Sequence, residues 1–370
     1  MIEQKILTSY SQLDTCLKNY KSIMLVCGRS IQYLEINKYF ESLEKRLQVE
    51  VVKFSDFHPN PTYDSVEKGV NIYHSKSCTA IVAVGGGSAI DVAKCIKLYA
   101  TIPSDKCYLQ QDILPNNIPL IVVPTTAGTG SEATRYAVIY YNGEKQSIND
   151  YSIIPSIVLI DATVLRTLPL FQKKVTMLDA FCHAIESFWS INSTDESKIY
   201  SEKAIQYIMN NYQGYLSNTD EGNSNMLLAS NLAGKAINIT ETTAGHAMCY
   251  KLTSLYKIPH GYACALTVSV LWPYMNVNID KCIDARGSGY LTTILDKIGQ
   301  AMGYKNAMEG ANAFRHFIKM LDLPILVVKS ENDYEELTTS VNPVRLKNHP
   351  IVLTKQVINN LYHQIFQLWR

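Results

Sequence analysis

A chain of 370 residues, 47% of them hydrophobic, can bury a large core, and its length corresponds to two domains. Its 34 basic side chains balance 33 acidic ones to a net charge of +1, so no overall field favours nucleic acid or a membrane surface, and no apolar run reaches the roughly 18 to 20 residues that span a bilayer. The nine cysteines are scattered, odd in number and never in C-x-x-C, which argues for reduced thiols; MIEQKILTSY lacks a signal-peptide core, so the expected location is cytoplasmic.

The first half alternates short apolar runs with amphipathic stretches, the pattern of a parallel sheet flanked by helices. SIMLVCG reads as the first buried strand. A helix over Tyr33 to Leu47, the strand VEVVKFS, the turn HPNPT and a helix over Ser65 to Lys76 follow, and TAIVAVGGGS is the next strand with its glycine turn. A helix over 89–101 and the strand PLIVVPTT complete the core of a nucleotide-binding half. Gly85, Gly86, Gly87 and Ser88 stand where a strand passes into a helix, so their amides can approach a pyrophosphate while the helix N-terminus faces its charge. The motif is not G-x-G-x-x-G, because Ile90 takes the third glycine's place. In VPTTAGTGSEATRYAVI, the hydroxyls of Thr125, Thr126 and Thr129 surround two glycines at a strand end, a loop that either lines a ligand or caps a helix.

SIVLID and the segment Asp161 to Pro169 read as the passage between domains, which places an α/β domain over 1–165 and an all-helical one over 166–370. Helical periodicity then runs through 172–190, 196–216, 225–249, 261–278, 290–302, 307–320, 331–339 and 354–368, with SNTDEGNS and PILVVKSEN as connectors. Asp179 and His183 are four apart in MLDAFCHAIESFW and project from one helix face. His246, in TTAGHAMCY, ends one helical run, and His260, in KIPHGYACALTVSVLW, opens the next beyond Pro259. A lone D-x-x-x-H is usually an exposed pair or a satisfied core contact. A carboxylate with three imidazoles, in contrast, is a donor set suited to iron(II), zinc, nickel or cobalt and less to magnesium or calcium. Cys182 and Cys249, beside these positions, read as small buried apolar residues.

LDAFCHAIES, GHAMCY and PHGYACAL, in that order and together with GGGSAIDVAK and PTTAGTGSE, resemble the group III, iron-dependent alcohol dehydrogenases over essentially the whole chain. The resemblance implies a dinucleotide-binding α/β domain, an all-helical metal domain and an active site in the cleft between them. It implies Asp179, His183, His246 and His260 as ligands of a divalent ion, iron(II) first and zinc as the alternative, acting on a small aldehyde or alcohol. It also implies cofactor contacts from Gly85 to Ser88, Asp91, Thr125, Thr126, Thr129 and Leu165, and from Asn60 in HPNPT and Lys145 in YYNGEKQS. A homodimer is compatible with it; nucleic acid and membrane partners are not expected. In this chemistry the ion polarises a carbonyl oxygen and the nicotinamide exchanges hydride with the carbonyl carbon.

The chain departs from the family pattern in two places. Where many members resemble H-x-x-x-H at the third ligand, this chain has Tyr250, a hydroxyl donor that would need help from Lys251 to move a proton. Where NAD-using relatives carry an aspartate after the first strand, it has Gly28, Arg29 and Ser30, which removes repulsion against a 2′-phosphate and favours NADPH over NADH. HAMCYKLTSLYKIPHG, TRYAVIYYNGEKQS and VNPVRLKNHP look most like a subgroup that reduces phosphonoacetaldehyde to 2-hydroxyethylphosphonate, and Arg135, Lys251, Arg345 and Lys347 are the cations expected to meet its dianion. The alternatives are a general short-chain alcohol dehydrogenase, a metal-dependent cyclising synthase of related fold and a non-catalytic homologue. The Asp179 and His183 pair argues against the synthase, and the two intact glycine loops argue against the last.

Overall fold

Strands buried on both faces favour near-continuous apolar runs, and three of the runs above have that property. The computed structural model describes residues 4–103 and 106–369 and divides into two compact units, Met1–Leu168 with Ser217–Leu227, and Pro169–Leu216 with Leu228–Arg370. The first unit runs β1 (Lys5–Leu7), α1 (Tyr10–Leu17), β2 (Ser22–Cys27), α2 (Glu35–Glu41), α3 (Leu43–Leu47), β3 (Glu50–Phe54), α4 (Tyr63–Ser75), β4 (Ala80–Gly85) and α5 (Gly87–Tyr99). It continues with β5 (Leu120–Pro124), β6 (Tyr136–Tyr141), β7 (Glu144–Asn149) and β8 (Ile157–Leu159). Six strands form one sheet in the order β1-β8-β5-β4-β2-β3, every pair parallel. All positions of β2, β4 and β5 are buried, which explains their apolar sequences; the exception, Ser22 at the start of β2, donates to Cys78 Sγ at 3.7 Å.

Strand order reverses between β2 and β4: the chain leaves β2 for β3 on one side, then returns to lay down β4 and β5 on the other. Ligands of open α/β sheets bind beyond the carboxyl ends of the strands at such a switch point. Cys27 lies opposite Val84, and Gly85 opposite Pro124. The loops after β2, β4 and β5, which hold Gly28, Gly85 and Thr125, therefore emerge side by side on that edge.

The structure departs from the sequence reading in three parts of this unit. The single helix expected over Tyr33 to Leu47 is a 3-10 turn at Arg29–Tyr33 followed by α2 and α3, interrupted at Ser42, whose hydroxyl donates to the Tyr39 carbonyl at 2.9 Å. A hairpin of β6 and β7 was not expected, although its turn carries the Asn-Gly signal: Asn142 and Gly143 both have positive φ, 52° and 81°. Strand β1 is three residues long, too short for an alternation to be read.

The second unit is helical: α6 (Leu170–Trp189), α7 (Asp195–Leu216), α8 (Asp220–Thr240, beginning in the first unit), α9 (Ala244–Tyr256), α10 (His260–Val277), α11 (Ser288–Ala301), α12 (Ala307–Met320), α13 (Asn332–Thr339), α14 (Pro343–Leu346) and α15 (Lys355–Leu368). Helix α10 is buried continuously from Gly261 to Trp272 and packs on α6, α9, α12 and α15; an apolar surface all round suits a helix at the centre of a bundle. The helix expected over 225–249 is two helices. Helix α8 stops at Thr240, Glu241 takes the left-handed conformation (φ 59°), and α9 starts at Ala244, so His246 opens a helix and does not end one. Thr240, Thr242 and Thr243, β-branched and able to bond back to the chain, mark the break. No described helix is long and apolar enough to cross a membrane.

Candidate metal centre and cofactor loops

Helical spacing brings Asp179 and His183 to one face of α6, His246 is the third residue of α9 and so lies in its first turn, and Pro259 places His260 at the first position of α10. The helices meet closely because the residues beside two of the histidines have no side chain. A Cβ on Gly261 would lie 2.1 Å from the Val175 carbonyl and 2.7 Å from Asp179 Cβ, and one on Gly245 would lie 2.8 Å from Glu186 Oε1.

One carboxylate oxygen faces all three imidazoles. Asp179 Oδ1 is 4.0 Å from His183 Nε2, 3.7 Å from His246 Nε2 and 3.8 Å from His260 Nε2. These separations are too long for hydrogen bonds, and ligands around a tetrahedral ion with bonds near 2.1 Å stand about 3.4 Å apart. Asp179 Oδ1 and His183 Nδ1 are buried with no hydrogen-bond partner. An orphaned buried carboxylate oxygen is costly, and a cation at this point would satisfy it. Ligand atoms of Asp179, His246 and His260 all lie within 4.8 Å of one another. The rings of His183 and His246 stack at 4.5 Å. The residues present therefore fit a divalent ion.

Charge follows from this packing. Burial pushes the Asp179 carboxyl up, but His183, His246 and His260 outweigh it and hold the group well below the usual carboxylate range. Burial lowers His183 to about 4, which leaves its imidazole neutral and its lone pair available to a ligand-seeking cation. Cys182 and Cys249 are buried as expected, and Cys249 Sγ lies 3.5 Å from His260 Nδ1.

The ring of Tyr250 stacks on His260 at 5.6 Å, and the Arg345 guanidinium lies over Tyr250, 5.0 Å from its centroid. This joins α14 to the first position of α10 through one aromatic ring. Burial pushes the Tyr250 hydroxyl above its ordinary value, with Arg345 pulling the other way. The Lys251 ammonium pairs with Glu336 of α13 at 2.5 Å, a contact that ties two helices together. Lys347 is exposed, beyond the end of α14. Arg135, in the first unit, donates to Asn149 Oδ1 at 2.8 Å and to the Tyr151 hydroxyl at 3.0 Å and packs on the rings of Tyr136 and Tyr151.

In the first unit, the glycine turn and the threonine loop press on one another. Thr125 N donates to the Gly85 carbonyl at 3.0 Å, and a Cβ on Gly86 or Gly87 would come within 3.2 Å of Thr126 or 3.3 Å of Thr129. Gly86 caps α5 without a side chain, and Ser88 follows in the first turn, so nothing covers the helix's leading amides from its own cap. Asp91 does not reach toward this edge with a spare oxygen: Oδ1 accepts from the Ser131 hydroxyl (2.8 Å) and Oδ2 from the Val138 amide (3.1 Å). Beside it the buried Lys94 ammonium, lowered by burial to about 8, donates to the carbonyls of Ser131, Thr134 and Tyr136. Asp91 and Lys94 thus fasten the threonine loop to α5. Asn60 has positive φ (59°) and precedes Pro61, whose carbonyl accepts from Tyr140; Tyr140 pairs across the hairpin with Lys145, which brings these two sites together. Gly28, Arg29 and Ser30 begin a 3-10 turn directly after β2, with both side chains exposed. Leu165 is fully buried.

The sequence reading missed Glu186, which touches His246 and lies seven residues after Asp179 in the same motif. Its signal was the shared helix face. His349 was missed too: both ring nitrogens are buried without partners, its ring lies edge-on to Trp189 at 6.2 Å, and burial lowers it to about 4.

A doubly wound sheet with glycine and threonine loops at its switch point, and a helical unit that gathers a carboxylate and three imidazoles, are the parts of a nucleotide-linked metalloprotein. The sequence matches the family model for iron-containing alcohol dehydrogenase over residues 7–162 and that for the C-terminal region of the Fe-containing alcohol dehydrogenase family over residues 173–366. The chain belongs to the iron-containing alcohol dehydrogenase family. It is 30% identical over 314 residues to 1,3-propanediol dehydrogenase of Citrobacter freundii, covering 82% of this chain and 79% of that protein. It is 29% identical over 276 residues to aldehyde-alcohol dehydrogenase 2 of Entamoeba histolytica, covering 70% of this chain and 31% of the relative. The match thus spans about a third of the length of that larger protein. Among solved structures, the sulfoacetaldehyde reductase of Bifidobacterium kashiwanohense in complex with NAD+ superposes with a TM-score of 0.86 at 23% identity, covering 99% of this chain and 97% of that one. The iron-containing alcohol dehydrogenase of Thermotoga maritima superposes with a TM-score of 0.82 at 25% identity over 99% of both chains.

Proposed function

We propose that the protein is a metal-dependent, NAD(P)H-linked reductase of a small aldehyde carrying an anionic group, with phosphonoacetaldehyde as the first candidate and NADPH as the favoured cofactor. Family membership supports the reaction class, and relatives named as propanediol dehydrogenases and a sulfoacetaldehyde reductase support a short substrate. The observation that carries the anionic part is the ladder His260, Tyr250, Arg345: a half-buried guanidinium sits one ring away from a candidate metal ligand. None of the ion pairs among the described residues uses Arg345, whereas Lys251 is committed to Glu336.

In this reading Asp179, His183, His246 and His260 hold the ion, and the free amides at the start of α5 with the Thr125, Thr126 and Thr129 hydroxyls hold the dinucleotide. When bound, the ion polarises the aldehyde oxygen and the reduced nicotinamide supplies the hydride. Arg345 orients the substrate by its charge. Tyr250, whose hydroxyl is protonated at neutral pH and pushed further from ionisation by burial, donates a hydrogen bond and does not act as a base.

The test is NADPH oxidation by the metal-loaded protein with phosphonoacetaldehyde, sulfoacetaldehyde and propanal. A guanidinium meeting an oxoanion contributes about 1.5 to 3 kcal/mol, so kcat/KM for the preferred anion should exceed that for propanal by roughly 10- to 150-fold. Equal values would leave a general short-chain alcohol dehydrogenase, which is the second reading. No oxidation of NADPH or NADH with any aldehyde would remove the enzymatic reading altogether.

A further inference from the structure

Of the three imidazoles around Asp179 Oδ1, His246 alone has a carboxylate behind it among the described residues. Glu186 is on α6, seven residues after Asp179 and three after His183, and so on the same helix face. Its side chain is fully buried (0% exposed). Oε2 contacts His246 Nδ1, the ring nitrogen opposite the one facing Asp179. Oε1 accepts from the Thr243 hydroxyl at 2.5 Å and the Gly245 amide at 2.7 Å, with the His246 amide at 3.4 Å. The Thr243 hydroxyl in turn accepts from Trp189 Nε1 at 2.9 Å. Thr243, at the cap of α9, makes no cap bond of its own to the helix; Glu186 takes that place from a different helix. By contrast, His260 Nδ1 has only a thiol beside it and His183 Nδ1 has no partner.

We infer that Glu186 is a positioning residue of the metal centre: it accepts the Nδ1 proton of His246, aims the Nε2 lone pair toward Asp179, and pins the first turn of α9 to α6. This rests on the reading that Asp179, His183, His246 and His260 hold an ion. A carboxylate behind a ligating imidazole fixes the ring's tautomer and orientation and makes it a better donor, and loss of such a partner typically weakens metal binding 10- to 100-fold.

The same atoms admit another use, because Glu186, His246 and Cys264 also offer ligand atoms within 4.8 Å of one another, and Cys264 Sγ is 3.2 Å from His246 Nδ1. The donors already on Glu186 decide between the two. Oε1 is filled by a hydroxyl and an amide, and Oε2 by the imidazole with the Cys264 thiol 3.9 Å away, so a second ion would have to displace the hydrogen bond between His246 Nδ1 and Oε2. Glu186 serves the centre through hydrogen bonds and does not ligate.

The experiment is zinc titration of the metal-free full chain against a chromophoric chelator, for the unmodified protein and Glu186→Gln, with circular dichroism to confirm folding. One ion per chain and a dissociation constant 10- to 100-fold higher in the variant are expected. Because Glu186→Gln removes a buried charge that caps a helix, a second measurement uses the unmodified protein alone. In zinc-loaded protein with nitrogen-15 histidine, one Nδ1-bound proton should resonate far downfield of the other histidine N–H signals and exchange slowly with water; His246→Gln assigns it. Equal zinc affinity in folded Glu186→Gln, two ions per chain, or histidine protons all in the ordinary range would each overturn this role while leaving the four-ligand centre standing. Failure of the unmodified protein to bind zinc or iron(II) would overturn that centre and this inference with it.

Discussion

At the scale of single residues, the centre is a set of groups that make sense only together. Asp179 Oδ1 is buried without a hydrogen-bond donor, and the facing imidazoles hold its carboxyl below the usual range, a position that a cation among the three Nε2 atoms would satisfy. Changing His246 or His260 to Ala should therefore remove most bound metal and all turnover with near-normal circular dichroism; full metal content by elemental analysis in both variants would refute the assignment. Arg345→Met keeps the stem over Tyr250 and deletes the charge. It should raise KM for phosphonoacetaldehyde roughly 10- to 150-fold and leave propanal unchanged, and an equal effect on both substrates would point to lost packing alone. Lys251→Met should change neither by more than about 2-fold, since its half-exposed pair with Glu336 is worth at most ~1 kcal/mol and faces another helix.

At the scale of elements, close approach and turn chemistry govern the outcome. The Gly261→Ala substitution puts a methyl 2.1 Å from the Val175 carbonyl and must push α10 away from α6, carrying His260 from Asp179. It should cost about 1 to 3 kcal/mol in stability and lose metal affinity together, read by thermal unfolding and chelator competition; an unchanged metal affinity would show that the helix contact does not set the ligand distance. Gly28 is the opposite case. Its φ is −72° and the nearest atom to an added Cβ is Ser30 Oγ at 3.8 Å, so Gly28→Asp fits without strain. At the carboxyl end of β2 that carboxylate would repel a 2′-phosphate and accept from a free 2′-hydroxyl. The ratio of kcat/KM for NADPH over NADH should fall at least ~10-fold, and a constant ratio would mean that this turn does not read the phosphate.

At the scale of the whole molecule, the proposed ligands divide cleanly. All four metal residues belong to the unit built from Pro169–Leu216 and Leu228–Arg370, and every proposed dinucleotide residue belongs to the other. Binding to the native state alone stabilises it by about 2.7 kcal/mol at 100 times the dissociation constant. In hydrogen exchange, zinc added to metal-free protein should first slow amides of α6, α9 and α10, while NADPH should slow the loops at Gly28–Ser30, Gly85–Ser88 and Thr125–Thr129. Zinc protection confined to those loops would contradict the division.

Local pattern was enough for what depends on local pattern. Unbroken apolar runs announced the parallel strands, the i, i+4 spacing put Asp179 and His183 on one face, and Pro259 marked the start that places His260. Motif order named the family. Other features depend on atoms far apart in the chain. The position of His246 at the start of α9 depends on where α8 stops, a competition among threonines that periodicity does not record. Sequence spacing does not show the pairing of Lys251 with Glu336, nor the network by which Asp91 fastens the threonine loop to α5. Glu186 shows the division most plainly: its helix face was readable from spacing, but its place behind His246 arises only when α9 docks on α6, because a hydrogen bond between residues 60 apart is made by packing and not by pattern.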